Sequence, residues 1–98
     1  MIIEKEAKDK ELILSLKGRL DTSTSPQLDE ELKKSLSGVK SLILNFKELE
    51  YLSSAGLRII LSAQKTMNRQ GKMKICNVND AIMEVFDMTG FADILTIE

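Results

Sequence analysis

The chain has 98 residues, 43% of them hydrophobic and 30% charged, which is enough for one globular domain over residues 1–98 but not for two. A formal net charge of −1 and the lack of tryptophan argue against a nucleic-acid partner, because phosphates and stacked bases would find no matching surface. The absence of histidine and the single cysteine exclude a Ser-His-acid triad, a histidine-containing metal site and a thiolate zinc cluster, so no metal or cofactor is expected.

The start of the chain predicts a β-hairpin. A short strand opens at Ile2, and a second strand is expected over residues 11–17, where leucines at every second position form one apolar face. A polar turn at residues 7–10 separates the two strands, and Gly18 is expected to end the second one. The short connection favours antiparallel pairing.

The next segment is rich in turn and cap residues and precedes a helix. Ser25 before Pro26 fits an N-cap followed by the first helical residue, although Thr24 offers a competing register. Leucines spaced four apart mark the buried face of this helix, which ends at Gly38. Asp21, just before the helix, is on residue chemistry alone a turn residue that bonds its own backbone.

A buried strand and a long helix follow. Residues 39–46 are expected to form a central strand buried on both faces and flanked by helices, because three apolar residues follow one another in it. A polar link at residues 47–50 leads to the second helix, which runs to about Gln70 and is capped by Gly71.

The last part of the chain adds a strand and a helix. Residues 73–78 are expected to form the strand, with Asn79 or Asp80 as the N-cap of a third helix and Gly90 at its end. The apolar run 94–97 is either an edge strand or a packed tail. The order of elements predicts an α/β fold with a mixed, mostly parallel sheet of four to five strands and three to four helices.

Two adjacent serines, Ser53 and Ser54, stand at the joint between the central strand and the second helix. Either hydroxyl could cap the helix, which is the plainest interpretation. A helix N-terminus also favours negative charge, so a phosphate on one of these serines would be tolerated. Ala55 and Gly56 leave the hydroxyls unshielded, and a glycine in the first turn indicates close approach of another group.

The sequence from Tyr51 to Leu57, together with the preceding strand 42–46, resembles the phosphorylation-site segment of bacterial anti-sigma factor antagonists, the STAS domain family. The segment Gly18-Arg19-Leu20-Asp21, followed by Pro26 and Leu28, resembles the second recurring motif of that family. The resemblance covers essentially the whole chain and implies a STAS-like fold.

In that family the segment usually reads Asp-Ser-Ser/Thr-Gly-Leu, and the serine after the aspartate is phosphorylated. The resemblance therefore implies that Ser54 is the phosphoacceptor, while Ser53 stands in place of the aspartate and Ala55 in place of the second hydroxyl residue. Arg58 lies one helical turn beyond Ser54 and is either a phosphate partner or a solvated side chain. The partner-binding residues expected on this basis are Asp21, Ser53, Ala55, Gly56, Leu57 and Arg58.

The function that the resemblance implies is that of an anti-sigma factor antagonist and not of an enzyme. Unphosphorylated, the chain would bind an anti-sigma factor that is also a serine kinase and so free a sigma factor. Phosphorylation of Ser54 would end this binding, and a serine phosphatase would restore it. The alternative is a STAS scaffold subunit of a regulatory or transport assembly with no phosphate switch. An enzyme with a serine nucleophile is disfavoured, because no sequence pattern supplies the activating base.

The location expected for the protein is the cytoplasm. Charged residues begin after the third position, so the apolar core of a signal peptide is missing. No stretch approaches the ~20 apolar residues of a membrane span. Cys76 has no partner for an internal disulfide, and its apolar neighbours predict a buried thiol.

Overall fold

A four-stranded mixed sheet, with its strands side by side in chain order, is the frame of the molecule. The computed structural model describes residues 1–98. The first two strands pair antiparallel, and the other two pairs are parallel. The predicted mixed, mostly parallel α/β fold is therefore confirmed. The elements are β1 (Ile2–Lys8), β2 (Glu11–Leu20), α1 (Ser25–Ser35), β3 (Ser41–Leu52), α2 (Ser54–Gln70), β4 (Lys72–Cys76), α3 (Asp80–Thr89) and a 3-10 turn (Phe91–Asp93).

The sheet buries only one of its faces. Every second residue is buried along β2 as far as Leu16 and along β3 as far as Phe46, and these side chains join apolar residues of all three helices in one core cluster. Ile43 and Asn45 lie on the opposite face and are partly exposed. The expectation that this strand is buried on both faces was wrong, because consecutive apolar residues in a strand point alternately to the core and away from it.

The third strand is longer than its apolar run. β3 continues through residues 47–50, which were predicted to be a link, and reaches Leu52. Asn45 lies opposite Ser15, whereas Glu48 lies opposite Lys17, so β3 carries one extra residue in between. This is a β-bulge, and the Asn45 side chain accepts a hydrogen bond from the backbone N–H of Lys47 at 3.1 Å. Because the residues after the bulge are polar, the alternation of apolar and polar residues does not indicate that the strand continues there.

The second strand also runs past its predicted end. Gly18 does not stop β2, which continues to Leu20. With a φ of +102°, Gly18 stands at a second irregularity of the β2–β3 pairing, in a conformation that favours glycine. The hairpin turn is shorter than expected and contains only Asp9 and Lys10.

The end of the chain packs against the edge of the sheet. Asn79 caps α3 by accepting a hydrogen bond from the backbone N–H of Ile82 at 2.8 Å, and Gly90 ends the helix with a φ of +77°. The tail then forms a single parallel bridge between Ile97 and Ile75, while Leu95 is buried. None of the helices combines the length and the apolar composition that crossing a bilayer requires.

Candidate functional site

The candidate site lies where β3 turns into α2. Ser53 is the N-cap of the helix, with extended backbone angles, and its Oγ accepts a hydrogen bond from the Gly56 backbone N–H at 3.3 Å. The backbone N–H of Ser53 donates to the carbonyl of Leu20 at 2.9 Å, which ties the helix start to the end of β2. Of the two serines, Ser53 therefore has the structural role.

Ser54 has a different environment, although it is the next residue. It is the first residue of α2 and is exposed, and its hydroxyl has no hydrogen-bond partner in the protein. Ala55 is half-buried beside it. Arg58, one turn along the helix, is exposed and forms no salt bridge. The surface at the helix start therefore presents a free hydroxyl, a small neighbour and an unpaired cation.

Two of the predicted partner-binding residues face the interior. A Cβ atom on Gly56 would lie 2.6 Å from Leu20 Cγ and 3.0 Å from the Leu20 carbonyl oxygen. Leu57 is only 4% exposed. The close approach that the glycine indicates is therefore to β2 within the same chain. Gly56 and Leu57 position the helix and are not available for direct contact with another protein.

Asp21 closes the turn between β2 and α1. Its Oδ1 accepts hydrogen bonds from the Ser23 hydroxyl at 2.8 Å and from the backbone N–H groups of Ser23 and Thr24 at 3.0 and 3.1 Å. The N-cap of α1 is Thr24, so the register with Ser25 as N-cap was wrong. The Ser25 hydroxyl instead donates to the Asp21 carbonyl. Because Leu20 bonds Ser53, this turn lies next to the start of α2.

Arg19 and Tyr51 form a second feature of the site, which the sequence did not indicate. The guanidinium carbon of Arg19 lies 4.2 Å from the centroid of the Tyr51 ring, and Arg19 Nε lies 3.8 Å from Asp21 Oδ2. Tyr51 is 42% exposed. The two residues pair across β2 and β3, in the part of β2 beyond Gly18. The sequence predicted that β2 ends at Gly18, so Arg19 was not expected to pair with Tyr51.

The carboxylate of Asp21 is expected to make stability depend on pH. The Ser23 hydroxyl, helped by the two backbone N–H groups, holds the pKa of Asp21 below its ordinary value of 3.8. A lowered folded-state pKa stabilises the fold above the ordinary value, and this contribution disappears as the pH falls through the folded-state pKa. Urea unfolding between neutral pH and about pH 2 should therefore show a steeper acid loss for the wild type than for Asp21→Asn.

The control for this prediction is Asp87→Asn, because the Asp87 side chain is exposed and makes no hydrogen bond or salt bridge. This variant should keep the acid slope of the wild type. If Asp21→Asn and Asp87→Asn had the same slope, the turn would not be the source of the pH dependence.

The chain is similar in sequence to known proteins over almost its whole length. The sequence model of the STAS domain matches residues 3–98. The anti-sigma F factor antagonist of Paenibacillus polymyxa is 34% identical over 91 residues, which are 88% of this chain and 76% of that protein. The anti-sigma-B factor antagonist of Staphylococcus aureus is 30% identical over 97 residues, covering 97% of this chain and 90% of that protein.

Solved structures share the fold at lower identity. The anti-sigma factor antagonist SpoIIAA in its unphosphorylated form has a TM-score of 0.85 at 19% identity, covering 99% of this chain and 88% of that chain. The phosphorylated form of SpoIIAA, described as a Bacillus cell fate determinant, has a TM-score of 0.78 at 19% identity, covering 99% of this chain and 91% of that chain.

Proposed function

The chain belongs to the STAS domain family, and we propose that it is an anti-sigma factor antagonist that is switched by phosphorylation of Ser54. In the unphosphorylated state it binds an anti-sigma factor with serine kinase activity and thereby frees a sigma factor. Phosphorylation ends the binding, and a serine phosphatase reverses it. The observation that carries the proposal is the exposed Ser54 hydroxyl, free of hydrogen bonds at the first position of α2.

The choice of Ser54 over Ser53 rests on their hydrogen bonds. The Ser53 hydroxyl caps the helix by bonding the Gly56 N–H, so modification there would disturb the start of α2. Ser54 has no such role. Serine and aspartate are about equally good N-caps, so Ser53 in the place of the usual aspartate keeps the cap and removes one negative charge beside the phosphoacceptor.

Electrostatics explain how one modification could switch binding without unfolding the domain. A phosphate adds about −1.5 to −2 charge at neutral pH. At the first turn of α2 this charge interacts favourably with the helix dipole, and Arg58 lies on the same helix face to pair with it. At an interface the same charge would have to lose its hydration. If Arg58→Ala altered neither phosphorylation nor partner affinity, we would discard this pairing.

The partner surface of this proposal is the exposed area around the start of α2. It combines Ser54, Ala55 and Arg58 with the neighbouring turn at Asp21 and with Tyr51. Aromatic and arginine side chains often carry much of the binding energy of an interface. Relatives named as antagonists of anti-sigma factors support this kind of partner, and the two forms of SpoIIAA support a phosphate switch within one fold. The proposal locates the protein in the cytoplasm.

Tandem mass spectrometry of the chain, purified from cells that produce it in two growth conditions, tests the switch. We expect phosphate on Ser54, in a fraction that differs between the two conditions. Phosphate on Ser53 alone would contradict the assignment of the acceptor. Absence of phosphate in both conditions, with a partner still co-purifying, would favour the constitutive scaffold, the alternative that serine at position 53 leaves open.

A further inference from the structure

A hollow of about 400 Å³ lies between α2 and the segment that follows α3. Its apolar wall consists of Leu61 on α2 and of Phe91 and Ile94 on the C-terminal segment. Ile94 is 58% exposed, so much of this large aliphatic side chain faces the solvent. The hollow therefore offers an apolar surface large enough for part of a small molecule.

The rim of the hollow is positively charged. Arg58 and Lys65 lie on the same face of α2, about two turns apart, and both are exposed. Neither side chain forms a salt bridge, and none of the residues that line the hollow is acidic. Unpaired cations above an apolar wall favour a ligand that carries both a negative charge and an apolar body.

An unsatisfied acceptor belongs to Gln64, which lines both this hollow and a neighbouring one that includes Glu98. Gln64 is 7% exposed, and its Nε2 donates a hydrogen bond to Asn68 Oδ1 at 2.8 Å. Its Oε1 is buried and has no hydrogen-bond partner, the one such side-chain atom in the protein. Leaving a buried acceptor unpaired costs about 1–3 kcal/mol. Such an atom in a folded protein indicates a missing donor from water or from a ligand.

We propose that this hollow binds a small amphipathic anion. Its apolar body packs on Phe91 and Ile94, its acidic group pairs with Arg58 or Lys65, and an N–H or O–H group donates to the amide of Gln64. Arg58 is also the residue proposed to pair with a phosphate on Ser54, whereas Gln64, Lys65 and the C-terminal segment take no part in that switch.

The hollow between α1 and α2 provides a contrast, although its volume is similar at about 330 Å³. Its cation, Lys33, is already paired with Asp29 at 3.0 Å. The amide of Gln70 donates to the carbonyls of Leu36 and Val39. Because its cation and its amide are paired inside the chain, this second hollow lacks the features that point to an anion.

The probe for the test is 1-anilinonaphthalene-8-sulfonate, which combines an aromatic body, an N–H donor and a sulfonate. Titrated into the ¹⁵N-labelled full chain, it should bind saturably and shift the amide signals of α2 around Gln64 and of the segment Phe91–Ile94. Lys65→Gln and Ile94→Ser should each weaken binding about fivefold, as expected for loss of one exposed ion pair or one apolar contact. Both residues are exposed, so neither change should unfold the protein.

Lys33→Gln is the matched control, because it removes a cation from the other hollow. This variant should bind the probe as the wild type does. Three results would overturn the proposal: no saturable binding, unchanged affinity in both Lys65→Gln and Ile94→Ser, or amide shifts confined to the hollow between α1 and α2. A well-dispersed amide spectrum in every variant separates a binding defect from unfolding.

Discussion

Replacing Ser54 with aspartate is expected to weaken binding to the anti-sigma factor at least about a hundredfold while leaving the domain folded. Breaking a buried interface by an unpaired charge costs about 3–5 kcal/mol, which exceeds two powers of ten in affinity. Within the domain the same charge is favourable by about 0.3–1 kcal/mol, because it lies at the N-terminus of α2. Calorimetric titration with the recombinant anti-sigma factor and thermal unfolding measure the two effects separately.

Two variants control this experiment. Ser54→Ala keeps the surface neutral and should bind as the wild type does, but it should not be phosphorylated. Ser37→Asp adds the same charge after α1, next to the amino end of β3, and should leave binding unchanged. Equal affinity of Ser54→Asp and the wild type would remove the basis for a phosphate switch. Unfolding of Ser54→Asp would show that the residue is structural.

Gly71→Ala is expected to be among the most destabilising single-methyl additions in the chain, at about 3 kcal/mol. A Cβ atom at this position would lie 2.0 Å from the Lys40 carbonyl oxygen and 2.6 Å from the Lys40 carbonyl carbon. Backbone atoms cannot rotate away as a side chain can. The adjacent Lys72 N–H also bonds the Lys40 carbonyl at 2.9 Å, so relief of the clash would disturb the start of β4. Denaturant unfolding at equilibrium measures the loss.

Gly38→Ala is the comparison for Gly71→Ala. Gly38 has a φ of +78°, but a Cβ atom there would meet nothing within 4 Å. Alanine at this position should cost only about 1–2 kcal/mol, which is the penalty of the left-handed backbone conformation. If Gly71→Ala lowered the free energy of unfolding less than Gly38→Ala, the backbones of Gly71 and Lys40 would be able to move apart at a lower cost than their close packing implies.

Features that depend only on residues close together along the chain could be predicted from the sequence. The alternating leucines of β2 gave its buried face correctly, since the side-chain period of a strand does not depend on what covers it. Asn79, one of two N-cap candidates, and Gly90 were identified as limits of α3 because both act through local hydrogen bonds and backbone angles. Gly71 does follow α2, but its φ of −179° is available to any residue. Glycine is needed at this position because a Cβ atom would clash with the backbone of Lys40.

Features that depend on pairing between strands could not be predicted. The polar residues 47–50 look like a loop, and β3 keeps its pairing with β2 through them because of the bulge after Asn45 and a second irregularity opposite Gly18. The contact of Arg19 with Tyr51 follows from that extended pairing. The sequence also did not show which of the two serines caps the helix. Serine is a favoured N-cap, and the choice between positions 53 and 54 depends on their backbone angles.

The chain order of the strands has a consequence for how the molecule is made. Each strand pairs with the one synthesised just before it, so no strand has to insert between two that are already joined. The hairpin of β1 and β2 closes over the shortest loop and can form first. β3 and β4 then add at one growing edge, and the bridge at Ile97 comes last. Assembly of the sheet can thus proceed in step with translation, one strand at a time.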